Sequence, residues 1–343
     1  MSMNTQKRKL LTKIAIIVLS VLLGISVVFV GFIGYMRLPI NAYYNASSRA
    51  FEIPGLNENF VPQGLHYAES EENFIFSGYM KDHAPSPVYV TTKAGELVKK
   101  VTLLKEDGSD YNGHGGGIAV NGKFIYLAGG EDRCVYVYSY TDLKNAENGA
   151  KLECKGTLIT QLSENDFIEP AFVSVADGRL VVGEFYRDGS YSTPESHKIT
   201  TKAGDYNQAL ALEYTFSSLQ DLGVNSVPVK AYSLPDQVQG LTIKNDKVYL
   251  SISWGLSFSR VPVYDKSKLV KEKDITVLGN EIPLYSMDRE SFMHEYKLPP
   301  MSEELVFVGS KMYVSCESAS NKYIFGKFTG GKWLYATDLD KLK

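Results

Sequence analysis

The sequence predicts an all-β protein, a five-bladed β-propeller preceded by one transmembrane helix. Three observations support this prediction: a long uncharged apolar stretch near the N-terminus, five internal repeats, and a segment at 49–55 that resembles the last strand of two repeats. Past residue 48, Tyr, Val, Ile, Phe and Thr are dense and turns with Gly, Asn or Asp are frequent. This combination is typical of short strands joined by tight turns.

The N-terminal segment has the length and flanking charges of a membrane anchor. Residues 14–36 contain no charged side chain, and about 20 apolar residues cross a bilayer. A cleavable signal peptide has an apolar region of only about 7–15 residues, so we expect this segment to stay uncleaved. Basic side chains precede it at Lys7, Arg8, Lys9 and Lys13, whereas Arg37 alone follows closely. The positive-inside rule then leaves the N-terminus in the cytoplasm.

These features predict a single-pass protein of the cell membrane with four parts. They are a cytoplasmic basic tail at 1–13, a transmembrane signal anchor at 14–36, a linker at 37–48, and an extracytoplasmic propeller at 49–343.

Charge and cysteine content restrict the classes of partner. Residues 1–40 hold five basic residues and no acidic one, so without them the formal net charge falls from −3 to −8. An acidic exported part argues against nucleic acid, which binds a basic face, and disfavours docking onto anionic lipid. Three cysteines are too few for a disulfide framework, and whether Cys134 and Cys154 pair stays open.

Five repeats predict the blades. Each repeat has an apolar strand, a turn with Gly, Asn or Asp, and a second strand that ends in small or acidic residues. The five segments are VPQGLHYAESEENFIFSGY (61–79), GHGGGIAVNGKFIYLAGG (113–130), IEPAFVSVADGRLVVGEFY (168–186), QVQGLTIKNDKVYLSIS (237–253) and SEELVFVGSKMYVSCES (302–318). Five units predict five blades, with six as the alternative.

A third strand follows in each repeat, and a fourth follows in all but the last. The segment RAFEIPG (49–55) resembles the fourth strands of the third and fourth repeats, KAYSLPD and HEYKLPP. We expect this N-terminal strand to complete the last blade, because that arrangement closes the ring without a free sheet edge.

The candidate site lies in the central funnel of this propeller. Loops that enter the first strands, and loops that join the second and third strands, share one face. Their polar and aromatic side chains suit a cation, a polyol or a sugar. The predicted ligand-binding residues are Gln63, His114, Glu169, Glu184, Gln239, Trp254, Glu303 and Glu317.

Catalytic and metal-binding roles are open alternatives within this set. The catalytic candidates are Glu169, Glu184 and His114, and the candidates for binding Ca²⁺ are Glu169 and Glu303. The run GHGGG (113–117) lacks the spacing of a phosphate-binding loop and enters a strand instead of a helix. We expect its glycines to keep the channel open or to admit a ligand to the backbone. The polar loop 187–208 is expected to be a flexible lid.

The motifs VPQGL, YNGHGGGIAV and VQGLTI, in this order, resemble a family of secreted or membrane-anchored propeller-like proteins of Gram-positive bacteria. That resemblance implies the cellular location and the fold, and it assigns no catalytic residue. More distantly, the chain resembles the gluconolactonase and strictosidine-synthase-like propellers, which centre a Ca²⁺ ion on acidic and Asn ligands. Here Gln63 and Gln239 stand at two of the corresponding strand entrances, which departs from that pattern.

Three functional hypotheses follow. The first is a membrane-tethered extracytoplasmic propeller that binds a small polar or saccharide ligand in its funnel, with Ca²⁺ as an optional ion. The second is a hydrolase of the glycosidase or lactonase type that acts on a cell-envelope or extracellular substrate. The third is a protein-interaction scaffold, with an envelope protein as its partner and no small-molecule site.

Overall fold

The computed structural model of the chain describes residues 2–342, which form an N-terminal helix and a five-bladed β-propeller. The prediction of five blades is confirmed. Helix α1 (Ser2–Arg37) continues through a 3-10 turn (Leu38–Ile40) into α2 (Asn41–Asn45). Two further short helices, α3 (Tyr140–Asn145) and α4 (Gly326–Thr329), lie in connections between strands.

The strands follow in chain order, with β1 (Ser47–Glu52) ahead of the first blade. Blade 1 contains β2 (Phe60–Ala68), β3 (Asn73–Met80), β4 (Pro87–Thr92) and β5 (Leu97–Leu103). Blade 2 contains β6 (Ile118–Asn121), β7 (Phe124–Ala128), β8 (Cys134–Ser139) and, after the short β9 (Lys151–Leu152), β10 (Cys154–Ile159). A small hairpin, β11 (Gln161–Ser163) and β12 (Asp166–Phe167), leads to the third blade.

Blade 3 contains β13 (Pro170–Ala176), β14 (Arg179–Glu184) and, after a loop with β15 (Ile199–Thr200) and β16 (Tyr206–Asn207), β17 (Ala209–Thr215) and β18 (Lys230–Leu234). Blade 4 contains β19 (Val238–Lys244), β20 (Lys247–Ile252), β21 (Ser259–Asp265) and, after the hairpin β22 (Val270–Val277) and β23 (Asn280–Ser286), β24 (Phe292–Leu298). Blade 5 contains β25 (Ser302–Val308), β26 (Lys311–Cys316) and β27 (Trp333–Asp338).

The N-terminal strand closes the ring, as the sequence predicts. Strand β1 pairs antiparallel with β27, from Ser47 opposite Thr337 to Glu52 opposite Trp333. The fourth strand of blade 5 therefore comes from the start of the propeller. Opening the ring would expose this pairing and the core beneath it, so the closure joins the two ends of the domain.

Two additions to the blades were not predicted. The hairpin β22–β23 leaves blade 4 and joins the outer edge of blade 3, where β23 pairs parallel with β18. Strand β9 likewise pairs parallel with β5 at the outer edge of blade 1. Both additions cover an outer strand that would otherwise present unpaired backbone groups.

The hydrophobic core is divided among the five interfaces between neighbouring blades. Each interface holds one cluster of buried side chains, such as Val137 of blade 2 against Val182 of blade 3, or Val263 of blade 4 against Leu305 of blade 5. Apolar side chains along each strand point alternately to the two faces of the blade, so both faces of every blade carry apolar side chains. Each blade therefore depends mainly on its neighbours for burial of its two faces.

The predicted linker at 37–48 is a packed connection. Ile40, Tyr43 and Ala46 are buried in the cluster between blades 4 and 5. Tyr44 also donates a hydrogen bond from its hydroxyl to the carbonyl oxygen of Thr329, at 3.0 Å. The helix is thus joined to the propeller through side chains that belong to the core.

A buried carboxylate links three blades at the propeller axis. Glu304, in the first strand of blade 5, is only 1% exposed. Its Oε2 accepts hydrogen bonds from the backbone N–H of Leu65 in blade 1, at 2.7 Å, and from that of Ile118 in blade 2, at 3.1 Å. Burial raises the pKa of this carboxyl well above its usual range, although both N–H donors oppose the shift.

Glycines allow the first strands to approach one another around this carboxylate. A Cβ on Gly117 would lie 2.4 Å from the backbone nitrogen of Val173, and one on Gly116 would lie 2.2 Å from the carbonyl oxygen of Ala171. A Cβ on Gly64 would lie 2.8 Å from the nitrogen of Ile118. The run GHGGG therefore brings blades 2 and 3 into close contact, which differs from the expected open channel.

The three cysteines are free thiols. Cys134 lies opposite Ile159 in the pair formed by β8 and β10, whereas Cys154 lies opposite Tyr138 at the other end of the same pair. The two sulfur atoms therefore form no disulfide.

We expect Glu304→Ala to lower the free energy of unfolding by about 2–4 kcal/mol, because two buried N–H groups lose their acceptor. Glu304→Gln keeps an acceptor oxygen of the same reach and is the matched control, with a smaller loss expected. Chemical denaturation of the two variants measures the difference. Equal stability of Glu304→Ala and Glu304→Gln would contradict the axial role of this carboxylate.

Candidate functional site

A bulge at the start of four first strands positions the side chains of the central site. Pairing between the first and second strands shifts register between Pro62 and Leu65 in blade 1, with equivalent shifts in blades 3, 4 and 5. The residues inside these bulges are Gln63, Gly64, Ala171, Gln239, Glu303 and Glu304. The loops on this side of the ring, which enter the first strands and join the second and third strands, form what we call the funnel face.

Two glutamates of blade 5 form the centre of the candidate site. Glu303 lies in the bulge of β25 and is 3% exposed, and Glu317 directly follows β26, the neighbouring strand. Gln63 of blade 1 donates a hydrogen bond from Nε2 to Oε2 of Glu317, at 2.9 Å. Within residues 2–342, no group donates a hydrogen bond to the side chain of Glu303. This residue is almost wholly buried, and the little solvent contact it keeps includes its carboxyl oxygens.

Burial makes both carboxyls weak acids. It raises the pKa of Glu303 well above its usual range, and the nearby Glu317 adds to the shift. Burial also raises the pKa of Glu317 to about 7, while the charge of Lys322 and the hydrogen bond from Gln63 oppose the shift. At neutral pH the pair therefore holds at least one proton, so it is able both to donate and to accept hydrogen bonds.

Tyr79, His114 and Lys322 surround this pair. Lys322 donates a hydrogen bond from Nζ to the hydroxyl oxygen of Tyr79, at 2.5 Å. The ring of His114 lies 4.4 Å from the ring of Tyr79, measured between centroids. Removal of the His114 imidazole from water lowers its pKa, and the Lys322 charge lowers it further. His114 is therefore a neutral hydrogen-bonding side chain at neutral pH.

Aromatic side chains from blades 3 and 4 form a second part of the funnel face. Phe185, Tyr191 and Trp254 pack with centroid separations of 5.4–6.0 Å, and the Arg187 guanidinium lies 4.4 Å from the centroid of Trp254. The Nε of Arg187 is buried without a hydrogen-bond partner among the described residues. Exposed aromatic faces of this kind stack on the apolar faces of sugar rings.

Tyr323 connects the carboxyl pair with these aromatic rings. Burial raises the pKa of Tyr323 to about 12, and the nearby Glu317, Glu303 and Tyr191 add to this shift. Because Glu303 and Glu317 belong to the carboxyl pair and Tyr191 to the aromatic group, both groups face the same funnel.

Some predicted site residues lie elsewhere. Glu169 has a half-exposed side chain, and its Oε1 lies 3.3 Å from the Nε of Arg133 at the rim. Glu184 is buried, and its Oε1 accepts a hydrogen bond from the backbone N–H of Leu210, at 2.8 Å. Gln239 is half-buried and has no side-chain partner among the described residues. Only Glu303, Glu317, Gln63, His114 and Trp254 of the predicted set belong to the two groups described above.

Glu184 instead helps to hold the loop 187–208. The Nδ1 of buried His197 lies 2.7 Å from Oε1 of Glu184, and its Nε2 lies 2.8 Å from Oδ1 of Asp166. Burial opposes the charged form of His197, but the two carboxylates outweigh it and raise the pKa of this imidazole. The loop is therefore anchored by an ion-paired histidine, which differs from the flexible lid expected from its polar sequence.

The donor set for a metal ion is small. Throughout residues 2–342, no group of three or more His, Cys, Asp or Glu side chains is placed to hold a metal. The two residues predicted to bind Ca²⁺ have different neighbours. Glu169 is paired with Arg133 at the rim, whereas Glu303 is buried beside Glu317.

The raised pKa of Glu317 predicts a pH-dependent stability. A carboxyl with a pKa of about 7 in the folded state and about 4.5 in the unfolded state keeps more protons when folded. The stability that the protonated carboxyl of Glu317 contributes is fully present below pH 4.5. It is lost as the pH rises through 7, which lowers the free energy of unfolding by on the order of 3 kcal/mol. We expect Glu317→Gln to flatten the unfolding free energy between pH 5 and 8.

Chemical denaturation across this pH range measures the effect. Glu169→Gln is the control, since it changes a half-exposed glutamate at the rim and is expected to retain the wild-type pH profile. A Glu317→Gln profile identical with that of the wild type would contradict the raised pKa.

Comparisons with known proteins concern the fold alone. No protein-family model and no curated protein sequence matches the chain. Among solved structures, it is similar to a PQQ-bound aldose sugar dehydrogenase from Streptomyces coelicolor, with 11% identity, a TM-score of 0.44 and coverage of 84% of this chain and 95% of that one. It is also similar to a glutaminyl cyclase from Myxococcus xanthus (14%, TM-score 0.40, 78% and 90%) and to a gluconolactonase from Xanthomonas campestris (10%, TM-score 0.36, 78% and 84%).

Proposed function

We propose that this protein is a membrane-tethered, extracytoplasmic β-propeller that binds a small polar or saccharide ligand in its funnel. The observation that carries the proposal is the buried carboxyl of Glu303, which has no hydrogen-bond partner within residues 2–342. A carboxyl that is largely removed from water and has no protein partner gains hydrogen bonds when a ligand hydroxyl binds, each worth about 0.5–1.5 kcal/mol. The fold does not need this side chain for its own hydrogen bonds.

The surrounding groups support a ligand with hydroxyls and an apolar ring face. Glu303 and Glu317 accept and donate hydrogen bonds, and Gln63 holds the second carboxyl in place. Trp254 and Tyr191 offer ring surfaces on the other side of the funnel. A flat molecule with polar edges satisfies both groups at once.

Helix α1 supports the membrane tether. The continuous helical segment Asn4–Asn45 contains a window with a mean hydropathy of 3.0, none of which is buried against the propeller. An apolar helix surface of this kind is stable in a bilayer and unfavourable in water. The basic residues before the helix favour a cytoplasmic N-terminus.

Calcium would have to draw most of its ligands from outside the protein. The ion takes about six to eight oxygen ligands, whereas the candidate site offers the carboxyls of Glu303 and Glu317, and no group of three or more His, Cys, Asp or Glu side chains is placed to hold a metal among the described residues. Both carboxyls also retain protons more strongly than ordinary glutamates. Water and ligand hydroxyls would therefore complete the coordination of the ion.

A hydrolase is the second candidate function. The feature in its favour is the pair of neighbouring carboxyls, Glu303 and Glu317, since burial raises the pKa of Glu317 to about 7, which suits a general acid near neutral pH. Release of nitrophenol from nitrophenyl glycosides, lost in both Glu303→Gln and Glu317→Gln, would support this candidate over simple binding.

Calorimetric titration of the full chain in detergent tests the proposed ligand binding. We expect glucose, N-acetylglucosamine or glycerol 3-phosphate to bind. We expect Trp254→Ala and Glu303→Gln each to lower the affinity for the probe that binds about tenfold, or about 1.4 kcal/mol. Glu169→Gln at the rim is the matched control and is expected to bind as the wild type does.

Repeating the titration with Ca²⁺ and with a chelator separates an ion-assisted site from a direct one. Absence of heat with all three probes in both conditions would contradict ligand binding in the funnel and leave the scaffold hypothesis. Binding that survives both Trp254→Ala and Glu303→Gln would place the ligand elsewhere.

A further inference from the structure

Helix α1 leaves the propeller on its funnel face. The ring of Phe29 lies 5.2 Å from the ring of Phe328, and the ring of Tyr35 lies 6.4 Å from that of Phe258, measured between centroids. Toward its N-terminus the helix makes no burying contact, since residues 14–28 are all exposed. The apolar helix therefore extends away from the propeller on the side where the candidate ligand site lies.

The two loops that touch the helix also form the funnel. The loop 317–332 contains Glu317 and Tyr323 of the site, and Phe328, which contacts the helix. The loop 253–258 contains Trp254 of the aromatic group, and Phe258, which contacts the helix. The residues of the ligand site and the residues that contact the helix thus belong to the same two loops.

The length of the helix brings these loops to the bilayer. Residues 14–28 rise about 22 Å at 1.5 Å per residue, whereas the hydrocarbon core is about 30 Å thick. A complete span therefore needs about five more residues, which takes it past Phe29 and to the level of Phe328. The loop 317–332 cannot stay clear of the membrane surface when the helix spans it.

The surface of the loops suits this location. Ile324 is 53% exposed, Phe328 is 52% exposed and Leu256 is 62% exposed, which is unfavourable in water and favourable at the acyl boundary. Lys322 and Lys327 stand in the same loop and form no ion pair among the described residues. Lys322 instead bonds the hydroxyl of Tyr79, and Lys327 bonds the side-chain oxygens of Asn57 and Asn321, at 3.3 Å and 2.7 Å. Their hydrogen-bond partners are neutral side chains, so both ammonium groups can also attract lipid phosphates, although the exported part is acidic as a whole.

We propose that the funnel opens onto the outer leaflet and that its ligand is the headgroup of an anionic lipid, whose chains remain in the bilayer. The proposal rests on the tethered, ligand-binding propeller proposed above and names the class of its ligand. The phosphate lies near Lys322 and Lys327 at the rim, and the hydroxyl-bearing part of the headgroup reaches Glu303 and Glu317. A lipid of this kind never has to leave the membrane to bind.

Depth-dependent fluorescence quenching tests the orientation. The full chain, carrying Cys154→Ser so that only buried native thiols remain, receives a polarity-sensitive label at one new cysteine and is placed in lipid nanodiscs. Three positions are compared: Phe328→Cys in the funnel loop, Ser310→Cys in the turn at the opposite end of blade 5, and Val21→Cys in the helix. Lipids with a quencher on the upper acyl chain are expected to quench position 328, lipids with a quencher deep in the acyl chain are expected to quench position 21, and neither is expected to quench position 310.

The outcomes separate this inference from the tether. Quenching at 21 without quenching at 328 overturns the membrane-facing funnel and leaves the tether intact. Absence of quenching at 21 contradicts the tether itself, and the inference fails with it. Equal quenching at 328 and 310 also overturns the inference, because the two faces of the propeller would then be equivalent.

Tryptophan emission tests the lipid class. In a Trp333→Phe background Trp254 is the only tryptophan, and phosphatidylglycerol added to phosphatidylcholine nanodiscs is expected to change its emission. The double variant Lys322→Ala with Lys327→Ala is expected to need at least a fivefold higher fraction of phosphatidylglycerol for the same change in emission. Lys123→Ala, an exposed lysine on the opposite face, is the matched control. An unchanged response in the double variant overturns the assignment to anionic lipid.

Discussion

The side chain of Glu304 at the propeller axis holds three blades together. One oxygen atom accepts N–H groups from blades 1 and 2 while its strand belongs to blade 5, so three blades share a single acceptor. The glycines on the facing strands follow from this contact, because a side chain on Gly64 would occupy the space between blades 1 and 2. Close approach of the first strands then fixes where the bulges, and the side chains in them, are held.

Adjacent glutamates in that strand have opposite relations to the fold. Glu304 points its carboxylate at backbone donors and is satisfied, whereas Glu303 is as deeply buried and has no partner within residues 2–342. Burial of two neighbouring carboxyls costs free energy that only one of them recovers inside the protein. This imbalance at Glu303 is the physical basis of the proposed ligand site.

Much of the architecture follows from local sequence pattern. The repeated strand–turn–strand segments and the segment 49–55 predict five blades and the closing strand, because each blade requires the same alternation of apolar residues. The hairpin β22–β23 was missed, since its pairing with β18 of another blade has no local signal. Of the site, strand entrances predicted Gln63, His114 and Glu303. Lys322 and Tyr323 were missed because a polar loop gives no indication of its path, and His197 because its partners are distant in sequence.

The orientation of the funnel toward the helix places the ligand site next to the membrane tether. A photoreactive benzoyl-phenylalanine in place of Tyr191, at the rim of the funnel, tests this most directly when it is irradiated in intact membranes and the protein mass is measured. A funnel that opens onto the membrane gives an adduct with the mass of a lipid, absent when the same group replaces Ser310 on the opposite face. Equal lipid labelling at both positions, or no lipid adduct at Tyr191, would contradict it.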